Sequence, residues 1–278
     1  METALPLALA DDLRTGINTA ENLMVPRRLA LCGEIANPLA AFGMVSGMVF
    51  PVIMFPAAIL FGLNELLIPE LARCRAGEQR TRIHYLVRRS LRVALVYGLV
   101  FAGLLVLLAE ELCLWLYDST DAAEQLRCYG LLVPMLYCDS VTDAMTKGLG
   151  QQNICVRYNI ITSAMDVAFL YLLLPIWGMR GYFISFFVTH LVNFLLSLGR
   201  LLKITQQPLP FQTPAWGAAG CLLAIFAAGF VAVPSLRVVA YLSLLGSVLY
   251  LSGVCRREDL HWLLGLVKRK DPALGRGL

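Results

Sequence analysis

Charge is what this sequence has least of: Asp, Glu, Lys and Arg make up 15% of its 278 residues, against 58% hydrophobic ones. With a mean hydropathy of +0.69, that balance excludes a water-soluble domain of this length, which would need far more polar side chain to cover its surface. The eight cysteines form no CxxC pair and no Cys/His ligand spacing, which leaves out a zinc site and a disulfide framework. No GxxxxGK[ST] loop, dinucleotide fingerprint, GxSxG elbow or HExxH pair occurs, so no cofactor is expected and enzyme chemistry has no motif to carry it. The first residues, METALPLALADDLRTG, hold an apolar stretch too short for a signal-peptide core and lack a basic leader, so no cleavable targeting signal is expected.

What the sequence does have is long apolar runs. A helix needs roughly 20 residues to cross the hydrocarbon core, and about eight windows of that kind can be marked, at residues 4–25, 38–67, 88–116, 123–147, 154–176, 180–202, 214–233 and 235–254. The expected fold is therefore an all-α polytopic transmembrane bundle over residues 1–255, with a basic amphipathic tail at 256–278. In that tail Leu260, Leu263, Leu264 and Val267 share one helical face, which suits either an interfacial helix or a solvated segment.

The formal net charge of +4 does not point to nucleic acid, because the basic residues are confined to stretches between apolar runs. The segment RCRAGEQRTRIHYLVRR (73–89), the tail, and the loops with Lys147, Arg157, Arg200 and Lys203 all fall on one side of an eight-span chain. The other side holds only Arg27, Arg28, Arg127, Arg180 and Arg237. The positive-inside bias puts both termini in the cytoplasm and Asp118 and Asp121 outside, in a cell membrane.

Ionisable groups inside spans are costly and mark candidate pathways. In the first window Arg14, Asn18 and Glu21 form a stripe at spacings of four and three, either a cation for a phosphate with a nearby acid or a local polar cluster. In the fourth, Asp139, Asp143 and Lys147 recur every four residues, with Lys147 placed to snorkel. Asn159, Ser163 and Asp166 share a face of the fifth, and His190, Asn193 and Ser197 one of the sixth; both faces are expected to look inward. Gly43 and Gly47 have the GxxxG spacing of close helix contacts, and Pro51 and Pro56 favour kinks. The last two windows contain no acid and suit acyl chains or bulk lipid.

The stretch ALPLALADDLRTGINTAENLMVPRRLALCG, followed by AAFGMVSGMVFPVIMFPAAILFGLNELLIPELA, resembles the stage V sporulation protein B group of polysaccharide-biosynthesis flippases, specifically over about residues 4–73. LRTGINTAENLMVPRRL looks like the start of that family's carboxy-terminal lobe. The resemblance implies the second lobe of a 14-span flippase fold, and alternating access around a polar cavity that takes a polyprenyl-pyrophosphate-linked saccharide. It also implies headgroup contact by Arg14 and Arg28 and loss of function on Arg14→Ala, and, beside membrane lipid, it leaves open a separate amino-terminal lobe as partner, a truncated chain, or a homo-oligomer that rebuilds the cavity. Two alternatives stay open: a cation-coupled exporter of the same superfamily, with Asp139, Asp143 or Asp166 holding the coupling cation, or a membrane scaffold that transports nothing.

Overall fold

The computed structural model describes residues 4–33, 37–207 and 212–251, without the side chains of residues 4–14, 18 and 212–214. The tail at 256–278 and the end of the last window lie outside the described residues. Every described element is helical: α1 (Ala4–Leu29), α2 (Pro38–Met44), α3 (Phe50–Ala76), α4 (Arg80–Leu107), α5 (Ala109–Tyr117), α6 (Ala123–Gly130), α7 (Val133–Gly148), α8 (Gln152–Thr205), α9 (Gln212–Gly229) and α10 (Pro234–Leu251). Four helical stretches are long and apolar enough to cross a membrane: Pro38–Ala76, Arg80–Leu107, Gln152–Thr205 and Pro234–Leu251, with Ala215–Gly229 a shorter apolar helix. This is an all-α helical membrane protein.

Several boundaries differ from those read in the sequence, for local reasons. The basic stretch after residue 73 is not a loop: α3 runs on to Ala76 and α4 starts at Arg80, because Arg and Leu are good helix formers. Only a short turn remains, with Glu78 at φ 51°. The 88–116 window breaks at Leu108 (φ −107°, ψ 17°), and the 123–147 window divides at Leu131–Leu132, where Pro134 opens α7. Nor does the GxxxG pair make a helix contact, since a Cβ added at Gly43 or Gly47 would meet nothing within 4 Å among the described residues. Instead a π turn covers Val45–Val49 and carries the chain from α2 into α3.

Helix α8 contains 54 residues, about 80 Å at the helical rise. It is not one rod. Ser185 Oγ donates to Asp166 Oδ1 at 2.6 Å although 19 residues separate them, a contact that a straight helix would stretch to about 28 Å. The reversal is at Gly178 (φ 53°, ψ −132°), conformational space open mainly to glycine. Two limbs result, residues 152–177 and 179–205, matching the 154–176 and 180–202 windows.

Contacts fix the helix directions. Ile53 and Asn64 of α3 meet Tyr137 and Ser140 of α7 in the same order, so these run parallel, whereas Glu70 of α3 meets Arg82 of α4, and Pro56 meets Tyr97, in reverse order. Gly98 of α4 lies so close to α7 that a Cβ there would sit 2.6 Å from Pro134 Cα. Tyr241 of α10 lies buried over Gly103 of α4, its hydroxyl donating to the Leu99 carbonyl at 2.6 Å. Helix α1 packs Val25 and Leu29 against Leu170 and Leu174 of α8.

Gly103→Ala must displace the Tyr241 ring and is expected to cost about 1–3 kcal/mol, read as a lower thermal unfolding midpoint in detergent. Gly199→Ala, where nothing lies within 4 Å, should leave that midpoint unchanged or raise it.

Candidate functional site

The polar faces of the middle helices converge. A cavity of about 290 Å³ lies between α3, α7 and both limbs of α8. Its polar lining is Asp139, Ser140 and Asp143 from α7, Asn159, Thr162, Ser163 and Asp166 from the first limb of α8, and Thr189, His190 and Asn193 from the second. Met54, Ala57, Leu60 and Phe61 of α3 supply an apolar wall with Leu136 and Tyr137.

Each carboxylate is held by a different device. Asp139 accepts from Asn193 Nδ2 at both oxygens, 3.2 and 3.0 Å, which ties α7 to the second limb. Asp143 is paired with Lys147 Nζ at 2.7 Å, one helical turn away. Asp166 Oδ1 accepts from Ser185 Oγ at 2.6 Å and Thr189 Oγ1 at 3.3 Å, hydroxyls one turn apart on the opposing limb. The His190 ring lies 4.2 Å from that of Phe186. Buried oxygens without a protein partner surround this space: Asp143 Oδ1, Asn193 Oδ1 and Asn64 Oδ1.

Of the nine residues singled out in the sequence, Asp139, Asp143, Asp166, His190 and Asn193 line this one cavity. Glu21 is half-buried on α1, within electrostatic reach of Asp166. Arg28 does not line the cavity: its guanidinium donates to the Tyr171 carbonyl at 3.1 Å and stacks 3.3 Å over the Tyr171 ring. Arg14 and Asn18 lie on α1, but their side chains are outside the described residues.

One participant went unread. Asn64 is buried on α3 and donates to Ser140 Oγ at 2.9 Å, fastening α3 to the floor of the cavity. Its signal was a lone amide inside the apolar run FGLNELLIP.

Chemically the site is a set of hard oxygen donors with three carboxyls, one of them ion-paired with Lys147, and no Lys or Arg lines it among the described residues. That suits a proton or a monovalent cation. Among the described residues there is no group of three His, Cys, Asp or Glu that could hold a metal ion.

Asn193→Leu strips the hydrogen bonds from a buried carboxylate and is expected to cost about 1–3 kcal/mol. Asp139→Asn in the same background should recover part of that loss, so a double-mutant cycle on unfolding in detergent should be non-additive.

No family model and no solved structure matches the chain. A search of curated proteins finds a distant likeness to Stage V sporulation protein B of Bacillus subtilis (strain 168), 21% identical over 165 residues. The match takes in 58% of this chain and 32% of that protein, so the chain spans about a third of the relative's length.

Proposed function

We propose that this chain is the cation-binding lobe of a membrane transporter of the flippase class, with a polyprenyl-pyrophosphate-linked saccharide as cargo. The observation that carries the reading is the gathering of Asp139, Asp143 and Asp166 around one cavity inside an apolar bundle. Acids are expensive in a membrane interior and persist where they bind or relay charge. The cargo rests on the resemblance over residues 4–73 and on the likeness to Stage V sporulation protein B.

In this reading the helices make eight passes: α1, α2 with α3, α4, α6 with α7, the two limbs of α8, α9 and α10. The parallel and antiparallel contacts are those of a strictly alternating chain. Arg75, Arg82, Lys147 and Arg200 then share one end with both termini, which the positive-inside rule assigns to the cytoplasm. The lobe corresponds to the carboxy-terminal half of its class, with a separate amino-terminal lobe as partner. Arg14, Asn18, Glu21 and Arg28 belong to α1, on the side where that second lobe would close over an anionic headgroup.

The acidity of the cavity also favours a second reading, export of a cationic small molecule. Proteoliposomes separate the two. A flippase predicts translocation of a fluorescent polyprenyl-pyrophosphate saccharide that depends on an imposed Na⁺ or proton gradient and falls about tenfold or more in Asp166→Asn, on the order of one lost charge-assisted hydrogen bond. Gradient-dependent efflux of ethidium without lipid translocation would assign the exporter instead. Absence of both, with the bundle folded and the amino-terminal lobe supplied, would leave the scaffold. Orientation is tested apart from flux: a membrane-impermeant maleimide applied to intact cells should label the exposed Cys128, and labelling only after lysis would reverse the assignment of ends.

A further inference from the structure

The basic end carries a second cavity, unrelated to the carboxylate site. It measures about 490 Å³ and is framed by Arg75 at the end of α3, Glu78 in the turn, Arg80, Ile83 and His84 on the first turns of α4, and the Leu149–Gln151 junction. The end of α8 closes it, where the Gln207 amide donates to the His84 carbonyl at 3.2 Å.

Other basic residues nearby are committed. Arg82 is paired with Glu70, Arg73 lies 3.9 Å from the same carboxylate, and Lys147 is paired with Asp143. Arg75 and Arg80 have no carboxylate partner among the described residues, and Glu78 is the one acid of the lining. Arg75 is nevertheless fixed. Its Nη1 donates to the Leu149 carbonyl at 2.7 Å across Gly150, whose φ of +72° and missing Cβ make the room; any Cβ there would collide with the guanidinium. The remaining N–H donors of a guanidinium held this way are left for an acceptor, and holding it in advance lowers the entropy lost on binding. Ile83, Leu149 and Ile204 give the same cavity an apolar side, as a glycerol and the first methylenes of an acyl chain require.

We propose that the cleft framed by Arg75, Arg80 and His84 binds a phosphate group, as carried by the headgroup of an anionic phospholipid. Arginine presents paired donors that match phosphate oxygens, and basic clefts between helices at the cytoplasmic side of a membrane collect anionic headgroups. The assignment does not rest on the transport reading.

Native mass spectrometry of the purified full chain in a non-ionic detergent tests it, with dioleoylphosphatidylglycerol and dioleoylphosphatidylcholine as probes. The wild type is expected to retain the anionic lipid over the zwitterionic one. The pair Arg75→Gln/Arg80→Gln should weaken that retention about tenfold, on the order of one charge-assisted contact. The pair Arg73→Gln/Arg157→Gln removes the same charge at the same end from exposed residues outside the cleft, and should leave retention within about twofold of wild type. Gly150→Ala keeps every charge but dislodges Arg75, and should also weaken it. Equal loss in the two charge-matched pairs, or equal retention of both lipids by the wild type, would overturn the headgroup as the source. Inorganic phosphate separates the sources. Protection of the wild type, but not of the cleft pair, against thermal unfolding marks a soluble phosphate. Lipid retention without such protection marks the headgroup. Both outcomes keep the phosphate assignment, and failure of both removes it.

Discussion

The cavity depends on one reversal of the chain. At Gly178 the backbone takes φ 53° and ψ −132°, and the second limb of α8 returns along the first instead of leaving the bundle. The return sets the Ser185 and Thr189 hydroxyls on Asp166 and brings His190 and Asn193 opposite Asp139. A side chain at residue 178 would strain that turn. Asp139 and Asp166 are tolerable in so apolar a protein because the turn delivers their donors to them, while Asp143 takes Lys147 from its own helix.

Much of this was legible in the sequence, since helical periodicity is a property of spacing alone. Asp139 and Asp143, Ser163 and Asp166, and His190 and Asn193 recur at spacings of four, three and three, and each pair lies in the cavity wall. Spacing places a residue on a face but does not say which face meets which, so Asn64, isolated on α3, carried no pattern. The fate of Arg28 was hidden for the same reason: its partner Tyr171 lies 143 positions along the chain. The glycine pair Gly43 and Gly47 misled because small residues permit close packing without compelling it, and here the π turn took that stretch. Helices run past the apolar windows where hydropathy stops and helix propensity does not, as in the arginine-rich ends of α3 and α4.

Charge is divided along the bundle as well as within it. Glu110, Glu111, Asp118, Asp121 and Glu124 collect around α5 and α6, where Arg127 pairs with Glu110 at 2.6 Å and Arg237 with Glu111 at 3.2 Å. At the opposite end Arg75 and Arg80 have no carboxylate partner among the described residues. The two cavities therefore differ in lining, with three carboxyls in the inner one and two arginines beside a single acid in the terminal one.

Three tyrosines give the bundle a mechanical grain. Tyr117 donates to the carbonyl of Met48 in the π turn, Tyr137 to Ile53 and Tyr97 to Pro56, at 3.0, 2.8 and 2.7 Å. Each hydroxyl comes from a different helix and grips the main chain of the same one, across the stretch that holds Pro51 and Pro56. Sliding this stretch along its axis would break all three bonds together, so α3, α4, α5 and α7 behave as a chassis. Helix α1 is joined to α8 by apolar packing and the Arg28 clasp instead.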